Sequence, residues 1–309
     1  MAIPTSRTKD KAEIAIDYSL CNHCGICAEV CKDFSLIMEN GKLIVSDNPC
    51  FGCIGCGHCM AICPFGAIQI SGRYISPDDI YSLNGHRNVS SYEQLMQLMQ
   101  KRRSIREYKD KPVEKEIIDK IIEAACTAPM GLPPSDVHLL VFDTAEKVRE
   151  FAKDYCNYLK GMKWFFSKWF LAIMRFFWGK ENDELFKGFL RPLVDKYIES
   201  MENGENFVNY DAPAAIYFYG TPFSDPADPI IPATYAMLAA ESLGLGSCML
   251  GAIHPFIQNG SAAEKFRKKH GIRFKSREGL FLIFGYSKVK YHKGIKRSFA
   301  SVDYYKDGK

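Results

Sequence analysis

Apolar residues in this 309-residue chain change their spacing near position 90, and the change divides the chain in two. Before it the apolar runs are short and alternate. Ile14, Ile16 and Tyr18 stand among polar neighbours and predict a strand within residues 11–20. Leu36–Met38 and Leu43–Val45 flank Glu39-Asn40-Gly41-Lys42, which reads as a hairpin turning at Asn40-Gly41. Ala67–Ile70 and Arg73–Ile75, around Ser71-Gly72, predict a second hairpin. Residues 76–90 carry Pro77, Gly85 and no periodicity, as a linker does.

From Ser90 onward the period is helical. Ser90-x-x-Glu93 is the expected capping box of a helix that carries Leu95, Leu98 and Met99. A second helix over Glu114–Cys126 sets Ile117, Ile118, Ile121, Ile122 and Ala125 on one face, and Pro129 and Pro133-Pro134 end it. His138–Phe142, Ala214–Tyr219 and Gly279–Phe284 are short and apolar, which predicts buried strands. Ala233–Leu243 is a helix of small residues between Pro232 and Gly244, leading into the glycine-spaced stretch Gly244–Gly251. The order predicts an α+β domain, a central mixed sheet surrounded by helices. The expected divisions are residues 1–76, a linker over 77–90, and 91–309 with a helical excursion over 153–205.

Within that excursion, Trp164, Phe165, Phe166, Trp169, Phe170, Phe176, Phe177 and Trp178 fall in fifteen positions. Lys163, Lys168 and Arg175 interrupt the run, which is shorter than the ~20 residues a membrane span needs. The expectation is helices packed on the body or across a dimer interface. A helix lying on a membrane surface and a partner-binding face are the alternatives.

Composition sharpens the division. Hydrophobic residues make up 47%, enough for a real core in the larger part. The net charge of +4 is too small to imply nucleic acid, but it is unevenly spread. Residues 1–80 hold nine Asp/Glu against six Lys/Arg, a net of −3, which leaves +7 for residues 81–309. An acidic part beside a basic part favours mutual docking and suits a phosphate-bearing cofactor. Met1–Asp10 has no apolar stretch of the kind a signal peptide needs.

Eight of the twelve cysteines are written as one pattern used twice. Cys21-x2-Cys24-x2-Cys27-x3-Cys31 is followed by Cys53-x2-Cys56-x2-Cys59-x3-Cys63-Pro64. Three thiolates two residues apart can turn toward one iron–sulfur cube, and the fourth reaches the other cube. Cys21, Cys24, Cys27 and Cys63 are therefore expected on one [4Fe–4S] cluster, and Cys53, Cys56, Cys59 and Cys31 on the second. Cys50-x2-Cys53 admits a shifted register, against which the identical spacing of the two motifs argues. Zinc sites use pairs rather than triplets. Cys126, Cys156 and Cys248 are expected as small buried residues, and His23 and His58 as exposed turn residues. Reduced thiols in this number imply the cytoplasm.

The cysteine stretch resembles the bacterial two-cluster ferredoxin module, with Gly25 and Gly57 at equivalent places and Lys32 where the second motif has Pro64. Further on, Arg102-Arg103-Ser104-Ile105-Arg106 supplies guanidinium forks and a hydroxyl just past a helix. Together with Ala128-Pro129 and the Gly246–Gly251 segment, it resembles the FMN-dependent nitroreductase family over roughly residues 91–300. The resemblance implies FMN phosphate and ribityl contacts from Arg102, Arg103, Ser104 and Arg106, and from a final basic motif of Lys293, Lys296 and Arg297. It implies flavin-ring contacts from Pro129, Met130, Gly131 and Ser135, in the family supplied by the neighbouring subunit of a homodimer. Met130 and Pro133 stand where the family has Ser and Asn, so this loop's contacts are more apolar or made by backbone. It also implies backbone N–H groups of Met249, Leu250 and Gly251 beside the flavin.

The combination implies an oxidoreductase that passes electrons between two [4Fe–4S] clusters and FMN to reduce a small organic acceptor: a nitro compound, a quinone or an activated double bond. Electrons are expected from an external ferredoxin or flavodoxin, or from NAD(P)H. An electron carrier that has lost its own FMN, or a membrane-associated subunit of a redox complex, are the rival readings. No residue stands out as a general acid.

Overall fold

The computed structural model describes residues 10–83, 89–131, 133 and 135–305. The expectations for Met1–Lys9, Gly85, Leu132 and Pro134 lie outside the described residues. Four short strands open the chain: β1 (Glu13–Ile16), β2 (Leu36–Glu39), β3 (Lys42–Val45) and β4 (Ile68–Ser71). The hairpin β2–β3 turns at Asn40-Gly41 as read from the sequence. The second hairpin does not form. β4 pairs antiparallel with β1, Ile14 opposite Ile70, and the return strand shrinks to a bridge between Gly72 and Ile75. Burial decides this: Ile68 and Ile70 face the same small core as Ala12, whereas Arg73 and Tyr74 take left-handed turn conformations with φ 51° and 63°. Between the strands lie two five-residue helices, α1 (Ile26–Val30) and α2 (His58–Ile62), one after each cysteine loop.

Residues 77–79 form a 3-10 turn, and α3 (Tyr92–Lys101) starts the larger part. Its capping box sits one residue later than expected: the Ser91 hydroxyl accepts from Gln94 N, and Gln94 Oε1 accepts from Ser91 N. Glutamine serves the box as glutamate does, because each presents a side-chain oxygen that accepts the backbone N–H. α4 (Lys115–Cys126) follows, burying Ile118, Ile121 and Ala125. Cys126, the last residue of that helix, is exposed rather than buried, since it points off the face those three residues define. Cys156 and Cys248 are buried as expected.

Four strands then form the sheet: β5 (Val137–Phe142), β6 (Ala214–Gly220), β7 (Gly246–Leu250) and β8 (Gly279–Gly285), in spatial order β5-β6-β8-β7. Every pair among them is antiparallel, and parallel pairing enters through the bridge of Ser104 with Ser247 beside β7. β6 and β8 are buried along their whole length, and their residues divide by parity between two cores. Tyr217, Phe281 and Ile283 face one side, while Ile216, Phe218, Leu282 and Phe284 face the other. Each such side chain, fully withdrawn from water, contributes roughly 1.5–3 kcal/mol. That double burial is why both strands read as unbroken apolar runs.

One face is covered by α4 and by α8 (Ile230–Ser242), whose Ala233, Ala236 and Ala240 let it sit close to the sheet. Pro232 lies inside the first turn of α8 rather than before it, where a missing N–H costs the helix nothing. The other face is covered by α5 (Ala145–Gly161) and α7 (Arg191–Glu202), which enclose α6 (Lys168–Leu185) between them in sequence. Two helices between β7 and β8, α9 (Ile253–Phe256) and α10 (Ser261–Lys269), were not legible in the sequence pattern. The excursion is helical with three interruptions: a 3-10 turn at Lys163–Phe166, a break at Gly179, and a π turn at Phe186–Leu190.

Candidate functional site

Each cysteine loop bends into its helix through a left-handed glycine, Gly25 at φ 81° and Gly57 at φ 73°. A β-carbon on Gly57 would also stand 3.0 Å from the Ile75 side chain. The loops are thereby crossed. The Cys27 thiol has Cys63 and Cys21 in its electrostatic surroundings, whereas Cys59 has Cys53, Cys56 and Cys31. Cys53 likewise has Cys56 and Cys31 beside it. Cys63 thus stands with Cys21 and Cys27 of the first motif, and Cys31 with Cys53, Cys56 and Cys59 of the second. Cys24 and Cys56 are exposed; Cys50 is exposed too, its N–H donating to Asp33 O at 2.9 Å, and it belongs to neither group.

Burial pushes the Cys27 and Cys53 thiols up and the Cys59 thiol to about 12. A buried thiol gives up its proton only to a metal cation that replaces the charge. Among the described residues no three Cys, His, Asp or Glu are gathered tightly enough for a single metal ion. Thiolates around a cube bind different irons and stand farther apart, so the donor set fits iron–sulfur cubes. Ala67 N donates to Cys63 Sγ at 3.3 Å, the kind of amide contact that raises a cluster's potential. His23 is not the exposed turn residue expected. It is half-buried, and its Nδ1 accepts from Leu43 N at 3.1 Å, 3.9 Å from Cys21 Sγ. His58 is exposed.

A cavity of 600 Å³ separates the second cysteine group from the larger part of the chain. Cys31, Cys53, Cys56 and Cys59 line one wall, and Ala128, Pro129, Met130, Gly131 and Pro133 line the other. Two contacts hold these walls. Arg73 Nη2 donates to Pro133 O at 2.7 Å, and Gly131 N donates to Asp228 Oδ1 at 2.8 Å. Desolvation raises the Asp228 carboxyl, with Asp225 and Asp136 adding like charge. Neither Arg73 nor Asp228 was legible as a site residue; the doubled acid in Asp225-Pro226-Ala227-Asp228 was the available signal.

A second cavity, of 540 Å³, gathers cations. Arg102 and Arg103 meet Lys296 and Arg297 there, with Met99 and Gly294 between them. Arg103 donates through Nη1 to Gln100 O and Arg102 O, each at 2.7 Å, and through Nη2 to Lys293 O at 3.5 Å. Its Nε is buried without a hydrogen-bond partner among the described residues. Four cations around a cavity, one with an unused N–H, fit a phosphate monoester. The Arg102–Arg106 segment is seated on β7: Ile105 N donates to Ser247 O at 3.0 Å, and Ser104 bridges Ser247. Gly246 makes this approach possible, because a β-carbon there would lie 2.4 Å from Ile105 Cγ1. The buried Ser247 hydroxyl has no partner among the described residues.

Arg106 turns away from that cavity. It lies over the Tyr210 ring at 5.7 Å and borders a third cavity, of 910 Å³, together with Met249, Leu250 and Gly251 at the end of β7. Burial raises the Cys248 thiol beneath it, against the opposing pull of Arg106. Ser135 joins none of these cavities; its hydroxyl accepts from Val137 N at 3.2 Å and caps β5. Within one chain, then, the structure brings Arg102, Arg103, Lys296 and Arg297 together. It sets Arg106 with Met249–Gly251, and it sets Pro129–Gly131 against the cysteines instead.

The profile of the nitroreductase family matches residues 99–286, and that of the 4Fe-4S binding domain matches residues 52–69. A search of curated protein sequences returns no match. Among solved structures, a nitroreductase with bound FMN from Bacteroides fragilis superposes with a TM-score of 0.50 at 17% identity, covering 68% of this chain and 99% of that one. Another with bound FMN, from Desulfitobacterium hafniense, gives 0.48 at 22% identity over 68% of this chain and 98% of that one.

Proposed function

This chain belongs to the nitroreductase family, and from that premise we propose a redox enzyme in which two [4Fe–4S] clusters exchange electrons with FMN, which reduces a small organic acceptor. In this reading residues 1–76 are the cluster domain, 77–90 a linker and 91–309 the flavin domain. One observation carries the reading: Cys31, Cys53, Cys56 and Cys59 share a cavity with the Ala128–Gly131 loop, the loop through which such flavin enzymes reach their cofactor. FMN supplies the conversion between single electrons from clusters and the pairs an acceptor needs.

The chain's own residues would do the rest. Arg102, Arg103, Lys296 and Arg297 hold the phosphate, with forks matched to its oxygens. β7 is an edge strand of its sheet, so alternate amides near Met249–Gly251 face away from β8 and can donate to a flavin ring. Gly131, tied to Asp228, keeps the loop against the cysteine wall. The acceptor takes two electrons and two protons, turning a quinone into its hydroquinone or C=C into CH–CH, with solvent as the proton source. Electrons come from a reduced ferredoxin, a flavodoxin or NAD(P)H. Twelve free cysteines suit the reducing cytoplasm.

We also infer a homodimer. α3 carries Leu95 and Met99 on an apolar stripe yet buries none of its residues, and Tyr291, Ile295 and Phe299 of the C-terminal segment are likewise exposed. A second copy laid over this face would cover both and bring its own Pro129–Gly131 loop toward the cation cavity.

Anaerobic purification followed by spectral titration tests the reading. It predicts about eight iron and eight sulfide with one FMN per chain, and bleaching of flavin and cluster bands by one donor. Iron without flavin would leave an electron carrier. Flavin bleached by NAD(P)H while the clusters stay oxidised would remove the wiring.

A further inference from the structure

α6 has two apolar faces, and only one of them is packed. Leu171 is fully buried, and Phe170 and Trp178 pack on Phe165 within the excursion, where Trp178 also stacks on Phe186 with ring centres 4.6 Å apart. Trp169, Ile173, Phe176 and Phe177 form the opposite face, with Phe176 89% and Phe177 79% exposed. Lys163, Lys168, Arg175 and Lys180 flank that face; Arg175 and Lys180 pair with Asp183 (4.0 Å) and Glu184 (3.7 Å) at the end of the same helix, so Lys163 and Lys168 are the cations free of an ion pair among the described residues. No helix among the described residues is long and apolar enough to cross a membrane. A helix of this kind, aromatic on its outer face and flanked by cations, lies on an anionic lipid surface with its rings among the acyl chains.

The third cavity is walled in part by the same excursion. Leu185 and Phe189 are exposed and also line that cavity, whose far wall is Met249–Gly251. Its other walls are mostly apolar: Phe165, Phe186 and Leu190 come from the excursion itself. We propose that the excursion docks on an anionic bilayer and opens this cavity to an acceptor dissolved in the lipid. The acceptor would be a ring with an apolar tail: the tail among the excursion's side chains, the ring stacked on the flavin that the Met249–Gly251 amides hold. Its reduction follows the balance already given, a quinone taking two electrons and two protons to become a hydroquinone, and rests on the proposed function. Charge argues against a second copy on this patch. A two-fold contact places the same surface against itself, which would bring Lys163, Lys168 and Arg175 toward their equivalents.

Flotation with vesicles tests the docking without reading either cofactor. The holoprotein is mixed with phosphatidylcholine vesicles and with vesicles containing phosphatidylglycerol, and tryptophan emission is recorded as Trp164 and Trp169 leave water. Binding to the phosphatidylglycerol vesicles, a blue shift, and weakening by salt are expected. The Phe176→Ser/Phe177→Ser variant should bind roughly tenfold more weakly for each ring removed, with its helical dichroism, iron and flavin unchanged. It should also lose reduction of a decyl-tailed quinone carried in vesicles while keeping reduction of a water-soluble quinone. Absence of vesicle binding by the unaltered protein overturns the proposal. So does an oligomer that the variant disperses, which would make the occupant a second copy. Vesicle binding with no electron transfer from clusters to flavin would instead leave the docking intact and remove the proposed function.

Discussion

In residues 10–83 the largest fully buried side chains are Leu36, Leu43 and Ile70, and two of the buried apolar residues, Cys27 and Cys59, are cysteines. In residues 89–305 both faces of a four-stranded sheet are covered by helices, and Phe281, Phe218 and Tyr217 are wholly enclosed. Two-stranded sheets of four residues have too little apolar surface to hold themselves together in water. The first region must therefore take much of its folding energy from the metal it ligates. The second stands on packing, and its site is assembled on top of a finished core. A ligand set that is also the core must be written locally, in one short stretch. The proposed phosphate site, laid over a core, can be scattered across Arg103, Lys296 and Arg297.

The comparison breaks most easily by removing iron. Chelation under anaerobic reduction should unfold residues 10–83 and leave the sheet intact, so that limited proteolysis cuts only before α3. Cleavage spread evenly over both regions would show that the packing of the second depends on the first. Next in size is Gly246→Ala. Its methyl must displace Ile105 and with it the seated Arg102–Arg106 segment, costing about 1–3 kcal/mol, and bound FMN should fall in parallel with the thermal midpoint. Arg103→Ala should leave stability nearly unchanged and weaken FMN about 10–100-fold, the worth of one charged hydrogen-bonding group at ~1.5–3 kcal/mol. Equilibrium dialysis measures it.

The smallest effect concerns the sheet region alone. His254 is buried, bonded to Tyr217 Oη at 2.7 Å with Gln258 and Arg277 O around it, and burial lowers its pKa below the ordinary 6.5. The unfolded chain therefore binds a proton that the folded one refuses. Stability from this group is full above 6.5 and is lost as pH falls through the folded value. Thermal midpoints recorded from neutral to mildly acid pH should fall less steeply in His254→Gln than in the unaltered protein. Parallel slopes would assign the acid limb to other groups, His270 first.

Much of this was legible because the signals were local. Cysteine spacing marked the stretch that the 4Fe-4S profile matches, Asn40-Gly41 fixed one hairpin, and the unbroken apolar runs of β6 and β8 marked the buried strands. What the sequence hid was distant pairing. β4 chose β1, fifty residues and more away, over its neighbour because Ile14 and Ile70 share a core. Asp228 and Arg73 matter only because folding brings them to Gly131 and Pro133. Ser135, expected as a flavin contact from its place in a motif, accepts from Val137 N at the start of its own strand.

In the proposed dimer, electrons cross between the cluster of Cys31, Cys53, Cys56 and Cys59 and the flavin that the partner subunit holds against the Ala128–Gly131 loop. Rapid anaerobic mixing of the fully reduced holoprotein with a water-soluble quinone tests it, with cluster and flavin absorbance followed separately. The clusters should reoxidise at the pace of turnover, and in Arg103→Ala protein stripped of flavin they should stay reduced. Clusters that reoxidise equally fast without flavin, or that stay reduced while the flavin turns over, would contradict it.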